Sequence, residues 1–306
     1  MNIEVLLTEA EIAQEFADSL EARDLPEKFF YWTPLSVKRW KELSERSEGS
    51  LRATWESLAA KAAGLTAPFG AKVPVISLGA GEGLKDRLFL RALVAAGRDV
   101  KYFPVDASQT LLEMAVAGAE DDDVEVLGIK ADIASHMHLV LAADVSEAPR
   151  IFLMVGNTLG GFDPMDQIKQ VADVVLKGDI LIIDARLRDG AALPPREEQR
   201  RFVFAPLEAA GVTPDDGQVD FAENRDDRLD GLYMVTRRFQ AARDLRFQAG
   251  GKEVPMARGE RILLNFRYMY TAEAFRWLLT EHAGLRVVGE MNSPDGRFIT
   301  AVCIRA

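Results

Sequence analysis

The sequence predicts an α/β protein built on a doubly wound, mainly parallel sheet. Between residues 73 and 185, short apolar runs alternate with amphipathic segments of helical length, which is the pattern of strands joined by helices. The first apolar run passes into a glycine-rich turn in "VPVISLGAGEGLKDR". Near the C-terminus, two apolar runs flank "NSPDG", whose residue types favour a chain reversal. A closing hairpin at this point would place the final strand antiparallel in the sheet.

The segment before the sheet predicts a helical cap. Residues 1–70 contain no strand-rich run, and apolar residues recur at helical spacing, as at Ile12, Phe16 and Leu20. We therefore assign residues 1–70 to an N-terminal helical cap, and residues 71–185 to the first part of the sheet domain.

The segment after Asp184 predicts an insertion. Residues 186–262 are rich in arginine and aspartate, and combine a helical stretch near residues 197–210 with the strand-like runs "LYMVTRRF" and "LRFQA". We expect an inserted α+β substrate subdomain here, after which residues 263–306 complete the sheet domain. Aspartates balance the arginines of the insert, so a solvated surface is expected for them. These arginines include Arg200, Arg201, Arg237 and Arg238.

The composition is that of a globular protein, with 48% hydrophobic and 28% charged residues. A net charge of −11 leaves no broad basic surface, which argues against nucleic acid as a partner. No apolar run reaches the roughly 18 residues of a membrane helix, and the acidic start lacks a signal-peptide pattern, so we expect a cytoplasmic protein with no membrane partner. Cys303 lies in an alternating strand that favours a buried thiol, and no histidine spacing indicates a metal site.

The glycine turn after the first sheet strand predicts a ligand site. Gly79, Gly81 and Gly83 let the backbone bend sharply and bring a ligand to the N–H groups of the next helix, which favour an anionic group. Leu84 stands where a dinucleotide-binding turn has its third glycine. The spacing is thus G-x-G-x-G rather than the nicotinamide pattern.

Two carboxylates follow the next two strands. Asp106 ends the second strand, where the hydroxyls of a ribose need an acceptor, and Asp132 follows the third, near the position of an adenine amino group. Each residue alone could equally be a turn or helix-cap residue. Their order along the chain, together with the antiparallel final strand, favours S-adenosylmethionine over a nicotinamide cofactor.

The sequence resembles the class I S-adenosylmethionine-dependent methyltransferases. More narrowly, it is similar from about residue 25 to its end to the ergothioneine-pathway histidine Nα-methyltransferase family. The stretches that carry the resemblance are "LGAGEGLKDRLFLRAL", "FPVDAS", "VGNTLGGF" and "GERILLNFRYMY". The resemblance implies the class I methyltransferase fold and an enzyme that methylates a small molecule.

The resemblance also implies which residues bind the cofactor. The glycine turn and Lys85 would meet the methionine part, Asp106 the ribose, Asp132 with Ile133 the adenine, and the loop after the fourth strand the sulfonium. The complete implied set is Gly79, Ala80, Gly81, Lys85, Asp106, Ala107, Asp132, Ile133, Gly156, Asn157 and Thr158.

The chain departs from this family in the implied acceptor pocket. Gly161 stands where the family has an asparagine that helps to grip the amino-acid substrate, and Asn265 and Arg267 stand where it has a glutamate and a serine that bind the imidazole. A guanidinium on the same strand face as a neutral amide favours an anion where the family favours a cation. We therefore expect an acceptor other than histidine, with an anionic or hydrogen-bond-accepting group. The predicted substrate-binding residues are Tyr31, Trp32, Asn157, Gly161, Asn265 and Arg267.

Several interpretations stay open at this point. Arg267 could pair with a carboxylate of the insert, and Tyr31 and Trp32 could be core residues of the cap. The chain could also be a nucleotide-cofactor oxidoreductase or a non-catalytic S-adenosylmethionine-binding protein. No residue is assigned as a general base, and the oligomeric state stays open. The favoured interpretation is a methyltransferase that acts on the nitrogen of a small amine or amino-acid-like metabolite.

Overall fold

The computed structural model describes residues 1–188, 190 and 195–305, and gives only the helical backbone for residues 45–50. The strands are β1 (Ile3–Val5), β2 (Lys72–Leu78), β3 (Asp99–Asp106), β4 (Glu125–Val126), β5 (Gly128–Lys130), β6 (Ile151–Met154), β7 (Ile180–Arg186), β8 (Gly217–Arg225), β9 (Leu232–Ala241), β10 (Leu245–Ala249), β11 (Lys252–Met256), β12 (Arg261–Tyr270), β13 (Leu285–Asn292) and β14 (Phe298–Arg305). The α-helices are α1 (Glu9–Ala22), α2 (Phe29–Trp32), α3 (Pro34–Ala60), α4 (Ala62–Leu65), α5 (Leu84–Ala95), α6 (Gln109–Glu120), α7 (His136–Ala143), α8 (Pro164–Val174), α9 (Glu197–Ala209) and α10 (Ala272–Trp277). Short 3₁₀ turns span Leu159–Gly161 and Pro214–Asp216, and a π-helical turn spans Leu278–His282.

The central sheet has the strand order β1-β5-β3-β2-β6-β7-β14-β13, with β4 beside β3. Strands β1 to β7 pair in parallel, whereas β14 is antiparallel to both β7 and β13. The predicted doubly wound sheet and its antiparallel final strand are therefore confirmed. The strand order reverses between β2 and β6, so the loops after these two strands border one crevice at the carboxyl edge of the sheet.

Strands that are buried on both faces of the sheet have apolar residues in succession, which explains the apolar runs in the sequence. Along β2, Ile76 and Leu78 belong to one buried cluster, while Val73 and Val75 belong to a second cluster on the opposite face. Alternate residues of a strand point to opposite faces, so one strand contributes side chains to both hydrophobic clusters. Cys303 is buried in β14, as expected from its alternating strand.

The first residues of the chain differ from the expectation of a wholly helical cap. Ile3–Val5 form the edge strand β1, which pairs in parallel with β5 through Ile3 and Gly128. Three residues are too few for a periodic pattern to appear in the sequence, and only the pairing partner defines them as a strand. The helical part of the cap then begins at Glu9, after the capping residue Thr8.

The inserted segment forms its own small sheets. Strands β8, β9 and β12 make an antiparallel three-stranded sheet, and β10 pairs with β11 in a hairpin. The expected domain boundary at residue 263 lies inside β12, whose partner is β9 of the insert. This strand therefore connects the insert with the region that the sequence placed in the sheet domain.

The cap and the insert share one hydrophobic cluster. It joins Phe16 and Phe29 of the cap to Phe202, Phe239 and Phe247 of the insert. Shared burial of large aromatic side chains fixes the two segments against each other. Among the described residues, no helix is both long and apolar enough to cross a membrane.

Candidate functional site

The glycine turn follows β2 at the carboxyl edge of the sheet. Gly79 has a φ of +71°, and a Cβ atom there would lie 2.7 Å from Thr158 Cγ2 and 3.4 Å from Ile133 Cδ1. Such a backbone conformation and such close neighbours both require glycine. The turn thus brings three of the predicted cofactor-binding positions, Gly79, Ile133 and Thr158, into direct proximity.

Asp106 holds the glycine turn from the neighbouring strand. Its carboxylate accepts hydrogen bonds of 2.8 Å from Gly81 N and 2.8 Å from Ser108 N. Burial raises the pKa of Asp106, against the opposing effect of these two hydrogen bonds and of Lys85. Each carboxylate oxygen has two lone pairs, so both can still accept from a ligand hydroxyl.

Lys85 lies at the start of α5 and crosses to the loop after β6. Its Nζ donates to Val155 O at 2.8 Å and lies 5.7 Å from the ring centroid of Trp55. A side chain at Gly156 would collide with this ammonium group. An ammonium carries three donors, so a ligand carboxylate could take those that Val155 leaves.

Helix α3 of the cap lies over the glycine turn. Trp40 comes within 3.7 Å of the position that a Cβ of Gly81 would occupy, and Lys41 forms an ion pair of 3.2 Å with Glu82. Neither tryptophan of α3, Trp40 or Trp55, was predicted from the sequence as a site residue. The cap therefore forms one wall of the predicted cofactor crevice.

The loop after β6 is held by Asp184, a buried carboxylate at the end of β7. Asp184 accepts hydrogen bonds of 2.7 Å from Gly156 N and 2.6 Å from Asn157 N. Asn157 has a φ of +59°, and its Oδ1 accepts from Arg186 N at 3.0 Å. Asparagine tolerates this left-handed conformation better than most residues. Sequence reasoning missed Asp184, although a carboxylate closing the apolar run "DILIIDA" was a usable signal.

Asp132 is tied to the cap. Its Oδ2 accepts from Lys28 Nζ at 2.6 Å, and its Oδ1 accepts from Ala134 N at 2.9 Å. Lys28 also donates to Glu15 at 2.5 Å. Both oxygens of the residue predicted to border the adenine thus have protein donors, and the cap is linked directly to that end of the crevice.

The other predicted cofactor-binding residues have local roles. Ala80 is buried and its N–H donates to Val105 O at 3.1 Å, which keeps the glycine turn against β3. Ala107 packs against the cluster shared by the cap and the insert. Thr158 Oγ1 donates to Val155 O at 3.0 Å. These contacts shape the crevice through its backbone.

Four predicted acceptor-site residues come together around Glu27. Glu27 Oε1 accepts from Tyr31 Oη at 2.8 Å and from Arg267 Nη2, while its Oε2 accepts from Asn265 Nδ2 at 3.2 Å. Arg267 also donates to Tyr31 Oη at 2.7 Å. A Cβ at Gly161 would lie 2.5 Å from Arg267 Nη1 and 3.0 Å from Glu27. Sequence reasoning missed Glu27, because a glutamate in a loop carries no pattern.

This network corrects the expected character of Arg267. The sequence suggested a guanidinium available to an anionic acceptor, or one paired with a carboxylate of the insert. In the structure Glu27 of the cap neutralises it, and only 7% of the Glu27 side chain is exposed. Burial alone would lower the pKa of Arg267, but Glu27 and Tyr31 outweigh burial and raise it. Burial also raises the pKa of Tyr31, so its hydroxyl stays neutral at physiological pH.

Trp32 lies apart from this network. Its Nε1 donates to Glu9 at 2.7 Å, and its ring packs against Phe16 and Phe29 inside the cap. The core interpretation of Trp32 that the sequence left open therefore describes its position. Tyr31, one residue earlier on the short helix α2, is the residue that faces Arg267 and Glu27.

Arg237 of β9 differs from its expected place on a solvated surface. Its Nη1 donates to Asn265 Oδ1 at 2.9 Å, because the two residues are register partners of β9 and β12. Burial, together with the nearby Arg267, lowers the pKa of Arg237 to about 10. Arg200 and Arg201 are exposed, as expected. Local charge balance in the sequence thus predicted the exposure of Arg200 and Arg201, whereas Arg237 and Arg238 are both half-buried.

A cavity of about 500 Å³ opens beside the Glu27 network. It lies between the end of α1, the loop that carries Asp132, the 3₁₀ turn at Gly161 and β12. Its lining carboxylates are Asp18, Asp24, Glu27, Asp132 and Asp163, and its lining cation is Lys28. Four of these carboxylates form ion pairs with basic side chains: Asp18 with Lys252, Glu27 with Arg267, Asp132 with Lys28 and Asp163 with Arg228.

The residues present suit a ligand that joins an amino acid to a nucleoside. The glycine turn and Lys85 can receive a carboxylate, and Asp106 can accept from two ribose hydroxyls. Among residues 1–188, 190 and 195–305, no group of three or more His, Cys, Asp or Glu could hold a metal ion. The glycine turn, Lys85 and Asp106 together suit the amino-acid and ribose parts of S-adenosylmethionine.

One family model matches more than half of the chain, and several solved structures are similar to it at low sequence identity. A family model described as histidine-specific, S-adenosylmethionine-dependent methyltransferase matches residues 10–190. No curated protein sequence matches the chain. A solved S-adenosylmethionine-dependent methyltransferase from Clostridium acetobutylicum is similar at 13% identity and a TM-score of 0.48, over 88% of this chain and 99% of that one. The PH0226 protein from Pyrococcus horikoshii is similar at 13% identity and a TM-score of 0.40, over 90% and 96% of the two chains.

Proposed function

The chain belongs to the family of histidine-specific, S-adenosylmethionine-dependent methyltransferases, and from this premise we propose that it methylates the nitrogen of a small amine or amino-acid-like metabolite other than histidine. It is an enzyme, and S-adenosylmethionine is its methyl donor. Membership of this family excludes the two alternatives that the sequence left open, a nucleotide-cofactor oxidoreductase and a non-catalytic S-adenosylmethionine-binding protein. The acceptor and the residue roles below are proposals.

The proposed cofactor site follows the carboxyl edge of the sheet. The glycine turn and Lys85 bind the amino-acid part, Asp106 binds the ribose, and the loop at Gly156 and Asn157 borders the sulfonium. This placement is supported by the donors and acceptors that these residues still have available. In the proposed arrangement, the cap helix α3 closes the crevice and excludes water from it.

The observation that carries the acceptor proposal is the Glu27–Arg267 pair. It occupies the space beside Gly161, where the family resemblance implies a substrate-gripping asparagine. Asn265, in the place of the implied glutamate, uses its amide nitrogen on Glu27 and its amide oxygen on Arg237. The contacts implied for an imidazole are therefore replaced by bonds within the protein. Asp24, the lining carboxylate of the adjacent cavity for which the described residues provide no ion-pair partner, supports a basic nitrogen in the acceptor.

The chemistry of the proposed reaction depends mainly on positioning. When bound, S-adenosylmethionine supplies an electrophilic methyl group: the acceptor nitrogen forms the new C–N bond with its lone pair, the electrons of the broken S–C bond stay on sulfur, and the nitrogen releases one proton to solvent. The residues of this chain hold the acceptor in line and exclude water, which can provide a large part of the rate enhancement. Tyr31, neutral and fixed between Glu27 and Arg267, orients the acceptor by hydrogen bonding.

A methyl-release assay tests the proposal. The purified protein is incubated with S-adenosylmethionine and a panel of amines, amino acids, carboxylic acids and phenols, and formation of S-adenosylhomocysteine is measured. We expect turnover with nitrogen acceptors, and at least about tenfold lower kcat/KM for histidine than for the best acceptor, which corresponds to one lost hydrogen bond. Histidine as the best acceptor, or turnover confined to oxygen acceptors, would contradict the proposal.

A further inference from the structure

Lys28 of the cap is a cation held between two carboxylates. Its Nζ donates to Glu15 Oε1 at 2.5 Å and to Asp132 Oδ2 at 2.6 Å, and only 8% of the side chain is exposed. Glu15 belongs to α1, and Asp132 lies in the loop after β5. The two ion pairs therefore fix the ammonium beside the residue that is expected to border the adenine.

The ammonium of Lys28 has one more donor than these contacts use. A lysine ammonium has three N–H donors, and the described residues accept two of them. Lys28 and Asp132 both line the cavity of about 500 Å³. The third donor is therefore available to a ligand that occupies this cavity.

Lys28 and Asp132 together present a donor next to an acceptor. Asp132 Oδ2 has two lone pairs, so it can accept from a ligand while it holds Lys28. In adenine, the amino group is a donor, and the ring acceptors N1 and N7 lie on either side of it. A donor and an acceptor that are themselves 2.6 Å apart match two neighbouring groups of such an edge. The pair is thus complementary to adenine.

The cavity has the size and the surface that a purine base requires. Small-molecule pockets have volumes of about 300–1,000 Å³, and this cavity of about 500 Å³ lies in that range. Leu25, Pro26 and Phe162 contribute apolar side chains to the lining, which suit the flat faces of an aromatic ring. Gly161 and Asn265 of the acceptor network line the same cavity. One continuous space therefore borders both Asp132 and the acceptor side.

We propose that Lys28 binds the adenine base of S-adenosylmethionine, donating its third N–H to ring nitrogen N1 or N7 while Asp132 accepts from the amino group. This inference rests on the proposed cofactor site, with the adenine beside Asp132. It makes a residue of the cap, rather than the sheet domain alone, responsible for recognising the base.

Ring-nitrogen analogues of S-adenosylhomocysteine test this contact. Calorimetry gives the affinities of S-adenosylhomocysteine and of its 1-deaza and 7-deaza analogues for the wild type and for Lys28→Met. Each analogue replaces one ring nitrogen by a C–H group and keeps the amino group.

We expect at least one analogue to bind the wild type about 10- to 100-fold more weakly than S-adenosylhomocysteine, which corresponds to one charge-assisted hydrogen bond. In Lys28→Met, the loss for that analogue falls below about threefold, because the donor is already absent. The analogue that shows this difference identifies the nitrogen that Lys28 contacts. Equal losses in the two proteins overturn the proposal.

Lys130→Met is the matched control for attachment of the cap. Lys130, at the end of β5, forms an ion pair with Glu9 of α1, and only 3% of its side chain is exposed. The described lining of the cavity does not include Lys130. We therefore expect Lys130→Met to keep the wild-type difference between the three ligands. If both lysine variants weakened all three ligands alike, Lys28 would only attach the cap, and the inference would be overturned.

Two further comparisons separate this inference from the proposed cofactor site. The wild type alone tests the contact if Lys28→Met does not fold, because equal affinities for all three ligands overturn the proposal. Asp106→Asn reports the proposed ribose contact. Weaker binding in Asp106→Asn, together with equal wild-type affinities for the three ligands, overturns the role of Lys28 but supports the cofactor site. Unchanged binding in Asp106→Asn contradicts the cofactor site and, with it, the inference.

Discussion

Replacing Glu27 by glutamine tests whether one buried carboxylate holds the cap to the predicted acceptor site. The carboxylate accepts from Tyr31 at 2.8 Å, from Asn265 at 3.2 Å and from Arg267, and only 7% of the side chain is exposed. Glutamine keeps the shape but loses the charge, and its amide nitrogen must face one of these three donors. Removing one partner of a buried ion pair costs about 3–5 kcal/mol. Because the hydrogen bonds and the ion pair share the same atoms, we expect about this loss in total.

The assay is urea unfolding of the wild type, Glu27→Gln, Arg267→Gln and the double variant. Loss of both charges leaves neither partner uncompensated, so the double variant loses less than the sum of the single losses, by about 1–3 kcal/mol. Glu56→Gln is the control, because its exposed pair with Arg52 contributes less than about 1 kcal/mol. A loss below about 1 kcal/mol in Glu27→Gln, or additive single losses, would refute the reasoning.

Three other substitutions test the cofactor crevice and the sheet domain. Gly79→Ala places a Cβ 2.7 Å from Thr158, so we expect calorimetry to give at least about tenfold weaker S-adenosylmethionine binding; Gly97→Ala, which also has a positive φ but no atom within 4 Å, keeps the wild-type affinity. Asp106→Asn removes a charged acceptor for the ribose and weakens cofactor binding about ten- to a hundredfold, and unchanged affinity in the folded variant would show the assignment to be wrong. Hydrogen bonds from two arginines of α5 lower the pKa of Asp122. Its contribution to stability is therefore complete above the unfolded pKa of about 3.9 and is lost as the pH falls through the lower folded value. Asp122→Asn thus lowers the free energy of unfolding by about 1 kcal/mol at pH 7, and this difference decreases on acidification below about pH 4; a pH-independent difference would contradict the ion-pair explanation.

The central sheet could be predicted because its signals are local. Strands β6 and β7 are buried along nearly their whole length and β2 along most of it, because both of their faces are covered, and "NSPDG" contains a reversal in five residues. The glycine turn and Asp106 could be located for the same reason, because both directly follow an apolar run. Once a strand is predicted, the position of a residue that directly follows it in the sequence is predicted as well.

The acceptor side could not be predicted in the same way, because its meaning depends on distant contacts. Glu27 and Asn265 are separated by 238 residues in the sequence, and nothing near either residue indicates the other. Arg237 has aspartates near it in the sequence, but the register of β9 and β12 places it opposite Asn265 instead. The three residues of β1 likewise gain their strand character only from β5.

The hydrogen-bonded set of Glu27, Arg237, Asn265 and Arg267 has a consequence for how this protein can change. Its members come from the cap and from two strands of the inserted sheet, and each one satisfies a polar group of another. A single substitution therefore leaves a buried donor or acceptor without its hydrogen-bond partner, whereas a coordinated substitution in the cap and the insert does not. A change at this proposed acceptor site thus requires several simultaneous substitutions, and a graft that moves β12 without the loop carrying Glu27 would transfer the arginine but leave its counter-charge behind.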